Sequence, residues 1–323
     1  MGLQIGKDVL GVAKQTALGT IAVNPAYAHG MSSDKSAVAP SDAPDPLTSA
    51  YLAAQGAYRD KIDTTIDIET RMWQKSVGLY LLAALGADSV SGTGTFTHIF
   101  TLASSLPYLS FFGKKGDGSI IGMRDSKIDG INIKWTGNGA IAFSVKAICG
   151  TFSFPATFAP TATDESDTTA YYTPVGGTFK YDLTTGTPVL ASIIDAEVDI
   201  QRNSASVMYS GAIEAGDVQE GGCDITVSLT VLPADLTLWR KIVTGSTTGT
   251  SLLTTPQYGS AELNFNASPD SLKLQFPRVE FLSDMPNADP KGGAAQSQLV
   301  GTAYRSGATS PITATLVNTV ATY

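Results

Sequence analysis

From Cys223 to Val231, apolar and polar side chains alternate without a break. Cys223, Ile225, Val227, Leu229 and Val231 fall on one side, and Asp224, Thr226, Ser228 and Thr230 on the other. Successive strand residues point to opposite faces, so this period describes a strand with one buried and one wet face. The pattern recurs. Ile131, Ile133 and Trp135 alternate with Asn132, Lys134 and Thr136, and Ile141, Phe143, Val145 and Ala147 with Ala142, Ser144 and Lys146. The run Thr136-Gly137-Asn138-Gly139 between them is a hairpin signal. Val198 and Ile200 alternate with Glu197 and Asp199. Further strands are expected at 60–70, 107–112, 119–124, 206–214, 259–267, 271–281, 297–305 and 311–318. Composition agrees: the 323 residues include 37 Thr, 30 Ser and 32 Gly, which suit strands and turns.

Two segments have helical spacing instead. Met72, Trp73, Val77, Tyr80, Leu81 and Leu85 recur at three- and four-residue steps before Gly86. The stripe is broad, which places this helix on a sheet. Asp235 is a candidate cap for a second helix with a buried stripe of Leu236, Trp239, Ile242 and Val243, ended by Gly245. The fold class is therefore all-β with minor α. Two tandem β-sandwiches with one helix each are expected, in residues 1–155 and 189–323, joined by a linker over 156–188. One large sandwich with insertions is the alternative. Residues 139–148 resemble residues 222–231 in pattern, which favours the tandem reading.

Residues 24–58 read as a long arm. Its core, Ala39-Pro40-Ser41-Asp42-Ala43-Pro44-Asp45-Pro46, is rich in residues that break helices and sheets. Such an arm either stays disordered or packs on a neighbouring subunit. The segment Thr161–Thr169 has no apolar face. Charge divides unevenly. Residues 1–150 carry 13 basic and 12 acidic side chains, residues 151–323 carry 8 and 17. The overall charge of −8 argues against a protein that binds nucleic acid by neutralising phosphates.

The usual constellations of catalysis are missing. There is no Gly-x-Ser-x-Gly elbow, and Gly113-Lys114-Lys115-Gly116 lacks the spacing of a phosphate loop. Asp284–Asp289 reads as a polar turn. The two histidines, His29 and His98, have no companions at metal-ligand spacing. Cys149 and Cys223 read as small core-facing side chains, and a disulfide framework needs more. Trp73, Trp135 and Trp239 each fall on an apolar stripe. Asp195, Glu197 and Asp199 share one strand face, where a solvated role outweighs cation binding. No apolar run is long enough for a transmembrane helix, and the opening residues lack the order of a cleavable signal. A soluble, non-enzymatic protein without cofactor or metal is expected, one suited to assembly through its strands.

The order of elements resembles the tail tube (major tail) proteins of long-tailed, non-contractile bacteriophages. The opening Ile5–Thr20 is similar to the family's start, a short strand running into a turn of the form lysine, any, threonine, any, any, glycine, threonine. Val77–Gly86 looks like the family's helix before a glycine stop. Phe100-Thr101-Leu102, Leu106–Ser110 and the closing Ile312–Asn318 follow in the expected order. The resemblance implies a virion tail protein, made in the host bacterial cytoplasm, whose rings stack into a hollow tube; another β-sandwich virion component, such as a capsid decoration or carbohydrate-binding module, is the alternative. Double-stranded DNA would pass along the lumen without specific binding. Tail-tip, tape-measure and tail-terminator proteins would be its partners, and no membrane is involved. Two sandwiches per chain would give trimeric, pseudo-hexameric rings, with hexameric rings the alternative. The arm, with Pro25, His29, Pro40, Pro44 and Pro46, would reach a neighbouring ring or subunit. Asp195, Glu197, Asp199 and Asp224 are candidate lumen-facing acids, since like charge on wall and phosphate keeps DNA from sticking.

Overall fold

The computed structural model describes residues 9–22, 26–44, 56–114, 118–137, 139–154, 162–165, 171–184, 189–190, 193–233, 235–283, 285 and 296–323. The first half contains β1 (Val9–Lys14), β2 (Ala26–Gly30), β3 (Ser33–Asp34), β4 (Ala37–Pro44), β5 (Ala57–Arg71) and α1 (Ser76–Leu85). It continues with β6 (Gly86–Thr93), β7 (Thr95–Leu102), β8 (Leu109–Lys114), β9 (Ile120–Thr136), β10 (Ala142–Cys149) and β11 (Thr151–Ser153). Next come β12 (Ala162–Asp164), β13 (Thr178–Asp182), β14 (Val189–Leu190), β15 (Ile193–Gln201), β16 (Ala205–Met208), β17 (Ala215–Gln219) and β18 (Asp224–Val231). The chain finishes with α2 (Thr237–Thr244), β19 (Gly259–Ala267), β20 (Asp270–Ser283), β21 (Ser297–Ala303) and β22 (Thr313–Asn318). This is an all-β protein with minor α, as the alternation requires.

One antiparallel sheet runs through both halves in the order β4-β5-β10-β9-β15-β18-β21-β20. Its apolar face is dry: Ile66, Phe143, Ile133, Val198, Val227 and Leu299 are at most 1% exposed. Two further layers close over that face. In the first half the order is β12-β2-β1-β8-β9-β11. In the second it is β14-β13-β19-β20-β22-β7-β6. The long strands β9 and β20 belong to both layers, so each forms a corner of a β-sandwich.

The two halves repeat one connectivity. β1, β2, β4, β5, α1, β8, β9, β10 and β11 have the same order and pairings as β13, β14, β15, β18, α2, β19, β20, β21 and β22. Even the irregularities coincide. β8 shifts register against β9 between Leu109 and Phe111, and β19 shifts against β20 between Gly259 and Ala261. The hairpins β6–β7 and β16–β17 are insertions in this scheme. The pattern likeness of residues 139–148 to 222–231 paired the wrong strands: the counterpart of β10 is β21, and that of β18 is β5. Alternation identifies a half-buried strand but not its place in a sheet.

Four local expectations change. The Pro-rich arm is strand β4, paired with β5 from Ala37↔Thr65 to Pro44↔Ala57. Proline removes one donor, which an edge strand tolerates. Residues 156–188, expected as linker, contain β12 and β13, the latter with alternating Phe179 and Tyr181. The candidate strand at 206–214 is a hairpin, β16–β17, turning at 209–214. Finally, α1 is buried on every side whereas no residue of α2 is buried, so Trp239 is a half-exposed helix residue and not core.

Candidate functional site

The wet face of the eight-strand sheet is a continuous surface with many polar side chains. Register fixes it row by row. Ser33, Glu69, Ser144, Asn132, Asp199, Thr226, Thr302 and Glu280 lie directly opposite one another across eight successive strands. The next row contains Arg71, Ala142, Lys134, Glu197, Ser228, Val300 and Leu282. Directly opposed residues share a face, so the row crosses from the first half to the second without interruption.

Three of the four expected acids, Asp195, Glu197 and Asp199, project from β15 onto this face, each half-buried between core residues Ala196, Val198 and Ile200. Asp224 shares the face, exposed at the start of β18. Asp67, Glu69 and Glu280 stand on the same surface and are equally part of it. Their signal was the period-two placement in β5 and β20. Basic groups are interspersed at Arg71, Lys134 and Lys146. Glu197 accepts from Asn132 Nδ2 at 2.7 Å and pairs with Lys134 Nζ at 3.2 Å. Burial pushes its carboxyl upwards, yet the hydrogen bonds from Asn132 and Lys134 and the lysine charge together hold it below the ordinary range. Gln201 Nε2 donates to Asp199 at 2.9 and 3.0 Å. A shallow groove over this surface is lined by Lys35, Asp67, Glu69, Asn132, Lys146 and Asp199. Among the described residues no group of three His, Cys, Asp or Glu side chains is placed to hold a metal ion.

The expected arm residues that are described lie in two settings. Pro40 and Pro44 are exposed on β4. His29 is fully buried on β2, and its Nε2 shares a 2.8 Å hydrogen bond with Tyr80 Oη of α1. It packs in the core of the chain. Pro25 and Pro46 lie outside the described residues.

Sequence reading missed the residues that lock α1 in place. Glu165, just after β12, accepts from the backbone N–H groups of Lys75 and Ser76 at 3.1–3.3 Å. The carboxylate thus meets the positive end of the helix. Burial, the largest influence, raises the Glu165 carboxyl above its usual value, against those hydrogen bonds. Tyr27 beside it is pushed up to about 12, by burial first and then by the Glu165 charge. Tyr323 closes the same pocket: its hydroxyl donates to Lys75 O at 2.7 Å and accepts from Asn318 Nδ2 at 2.6 Å. No local pattern marks Glu165, because its partner is 90 residues away.

The opening turn is built as a closed unit. Gln15 Nε2 and the Gly19 N–H both donate to Asp125 Oδ1, at 2.9 and 2.6 Å. The Asp125 N–H returns a bond to Gln15 Oε1 at 2.7 Å. Asp125 sits at φ 56, at the corner where β9 passes between layers.

No curated protein matches the chain. Residues 7–316 match the family model described as phage tail tube protein. That span includes both halves of the repeat and the sheet that joins them. The chain belongs to the phage tail tube protein family, and its role is that of a structural component of the virion tail.

Proposed function

We propose that the chain polymerises into stacked rings that form the hollow tail tube of a long-tailed, non-contractile phage. The polar face of the eight-strand sheet would be the lumen wall. The observation that carries this reading is the continuous row from Ser33 to Glu280, polar on one side and dry on the other across both halves. A wall rich in carboxylates, with Asp195, Glu197, Asp199 and Asp224 joined by Asp67, Glu69 and Glu280, repels phosphate. DNA therefore slides past without counterion release holding it in place. Lysines spaced among the acids limit self-repulsion of the wall.

Two copies of one connectivity per chain make each chain two ring-building units. Three chains then complete a pseudo-sixfold ring. The exposed hairpin β4–β5 is placed to touch a neighbouring subunit or ring. The lumen carries genome to the host, and growth starts at a tail tip around a tape-measure protein and stops at a terminator protein. Electron microscopy of the purified chain over a concentration series tests this. Rings or hollow tubes with three chains per ring are expected. Monomers at every concentration, even with the cognate tail tip added, would refute it.

A further inference from the structure

Strand β5 is longer than the sheet it belongs to. From Thr64 to Arg71 it pairs with β10. Before Thr64 its strand partner among the described residues is β4, from Ala39↔Asp63 to Pro44↔Ala57. This part of the hairpin is a two-stranded ribbon in which none of residues 39–44 or 57–63 is buried. Two strands without a buried face are marginal in water. A defined direction for the ribbon therefore needs support from elsewhere in the chain.

The β16–β17 hairpin of the second half supplies it. These two strands form a small sheet of their own. The turn over 209–214 meets β5 just beyond the end of the β10 pairing: the Ile62 N–H donates to Ile213 O at 2.6 Å. Beside it, Glu214 Oε1 accepts from the Phe152 N–H of β11 at 3.2 Å. The root of the hairpin is held far more firmly than this tip. Ala215 and Val218 are core residues. Glu220 pairs with the buried Lys127 of β9 at 2.7 Å and accepts from the Leu106 N–H at 2.9 Å. Tyr108 Oη donates to Asp217 Oδ1 at 2.7 Å, and Lys127 Nζ lies 4.4 Å from the centre of the Tyr108 ring. Burial pushes the Glu220 carboxyl upwards, yet the bonds from Lys127 and the backbone hold it below the ordinary range.

We propose that the β16–β17 hairpin is a brace: its fixed root and its reaching turn hold the β4–β5 ribbon in one direction, and loosening the hairpin frees the ribbon. An insertion in the second half thereby controls a projecting element of the first. The device works within a single chain, so it does not depend on the tube reading. Its physical basis is a difference in local stability. The ribbon has no core of its own, and its opening is coupled to that of the hairpin through the Ile62–Ile213 bond.

Hydrogen–deuterium exchange on the full-length chain tests the brace with two variants. Tyr108→Phe keeps the ring and removes the bond to Asp217 at the root. The second variant replaces residues 209–214 with Asn-Gly, a turn suited to joining Met208 directly to Ala215, and so removes the contact with Ile62. Neither change touches a ribbon side chain that pairs with β4. In both, amides of residues 57–63 should exchange about fivefold faster, the worth of one ordinary hydrogen bond in a local opening. Amides of β18 and β21 should keep their wild-type rates. Unchanged rates at 57–63 in the turn variant would overturn the brace. So would a rise in Tyr108→Phe confined to residues 205–219, which is what a purely local role for the hairpin root produces.

Discussion

At the scale of single residues, the fold depends on carboxylates that are read correctly only in three dimensions. Glu165 is the clearest case. Its folded-state proton affinity is raised by burial, so the folded chain holds that proton more tightly than the unfolded chain. The contribution is complete below the ordinary value of 4.5 and is lost as pH rises through the folded value. The Glu165→Gln variant removes this titration. The stability of the wild type relative to that variant should therefore fall as pH is raised from about 4 through the acid range, then level off. Denaturant unfolding at a series of pH values measures it, and a constant difference from pH 4 to 8 would contradict the assignment. Glu197 moves the other way, held below its ordinary range by Asn132 and Lys134 despite its burial. It stays ionised on the sheet face, which is the state a repelling wall needs.

At the scale of elements, the two helices show how one connectivity acquires two environments. Both end on a glycine in the left-handed region, Gly86 at φ 96 and Gly245 at φ 75. A side chain at Gly86 would meet Ser105 O at 2.5 Å and the Ala103 Cβ at 2.9 Å. At Gly245 the nearest contact is a flexible Leu253 methyl at 3.3 Å. Gly86→Ala should cost about 2–4 kcal/mol, strain plus clash, and Gly245→Ala about 1 kcal/mol, strain alone. Thermal or denaturant unfolding would show the order, and equal losses would mean that α1 is less tightly held than its packing implies. Both glycine stops were legible in the sequence, because a cap is a local device. So were the antiparallel pair β9–β10 and the wet face of β15, since alternation is local too. Strand β4 was not legible: its prolines read as breakers, and only the pairing with β5 makes them tolerable. Nor was the exposure of α2, whose apolar stripe of Trp239, Ile242 and Val243 looks like any buried stripe until its neighbours are known.

At the scale of the whole molecule, the repeat gives the chain two units of one connectivity. One junction between units is made inside the chain. Sequence alone placed the negative charge in the second half, and the fold adds that β5 contributes Asp67 and Glu69 to the same surface. The polar sheet face is thus shared between the halves, although their net charges differ. The repeat itself was half legible. Its existence followed from two strand-and-helix sets, but its register came from a bulge shared by β8–β9 and β19–β20, which leaves no mark in the sequence. The central claim is that the face carrying Glu69, Asp199 and Glu280 lines a lumen. A cryo-electron microscopy map of assembled tubes, with side chains traced, tests it most directly. The row from Ser33 to Glu280 should encircle the bore, with Asp195 and Glu197 pointing into it. A map that places this row on the outer surface, or buries it between subunits, would contradict the account.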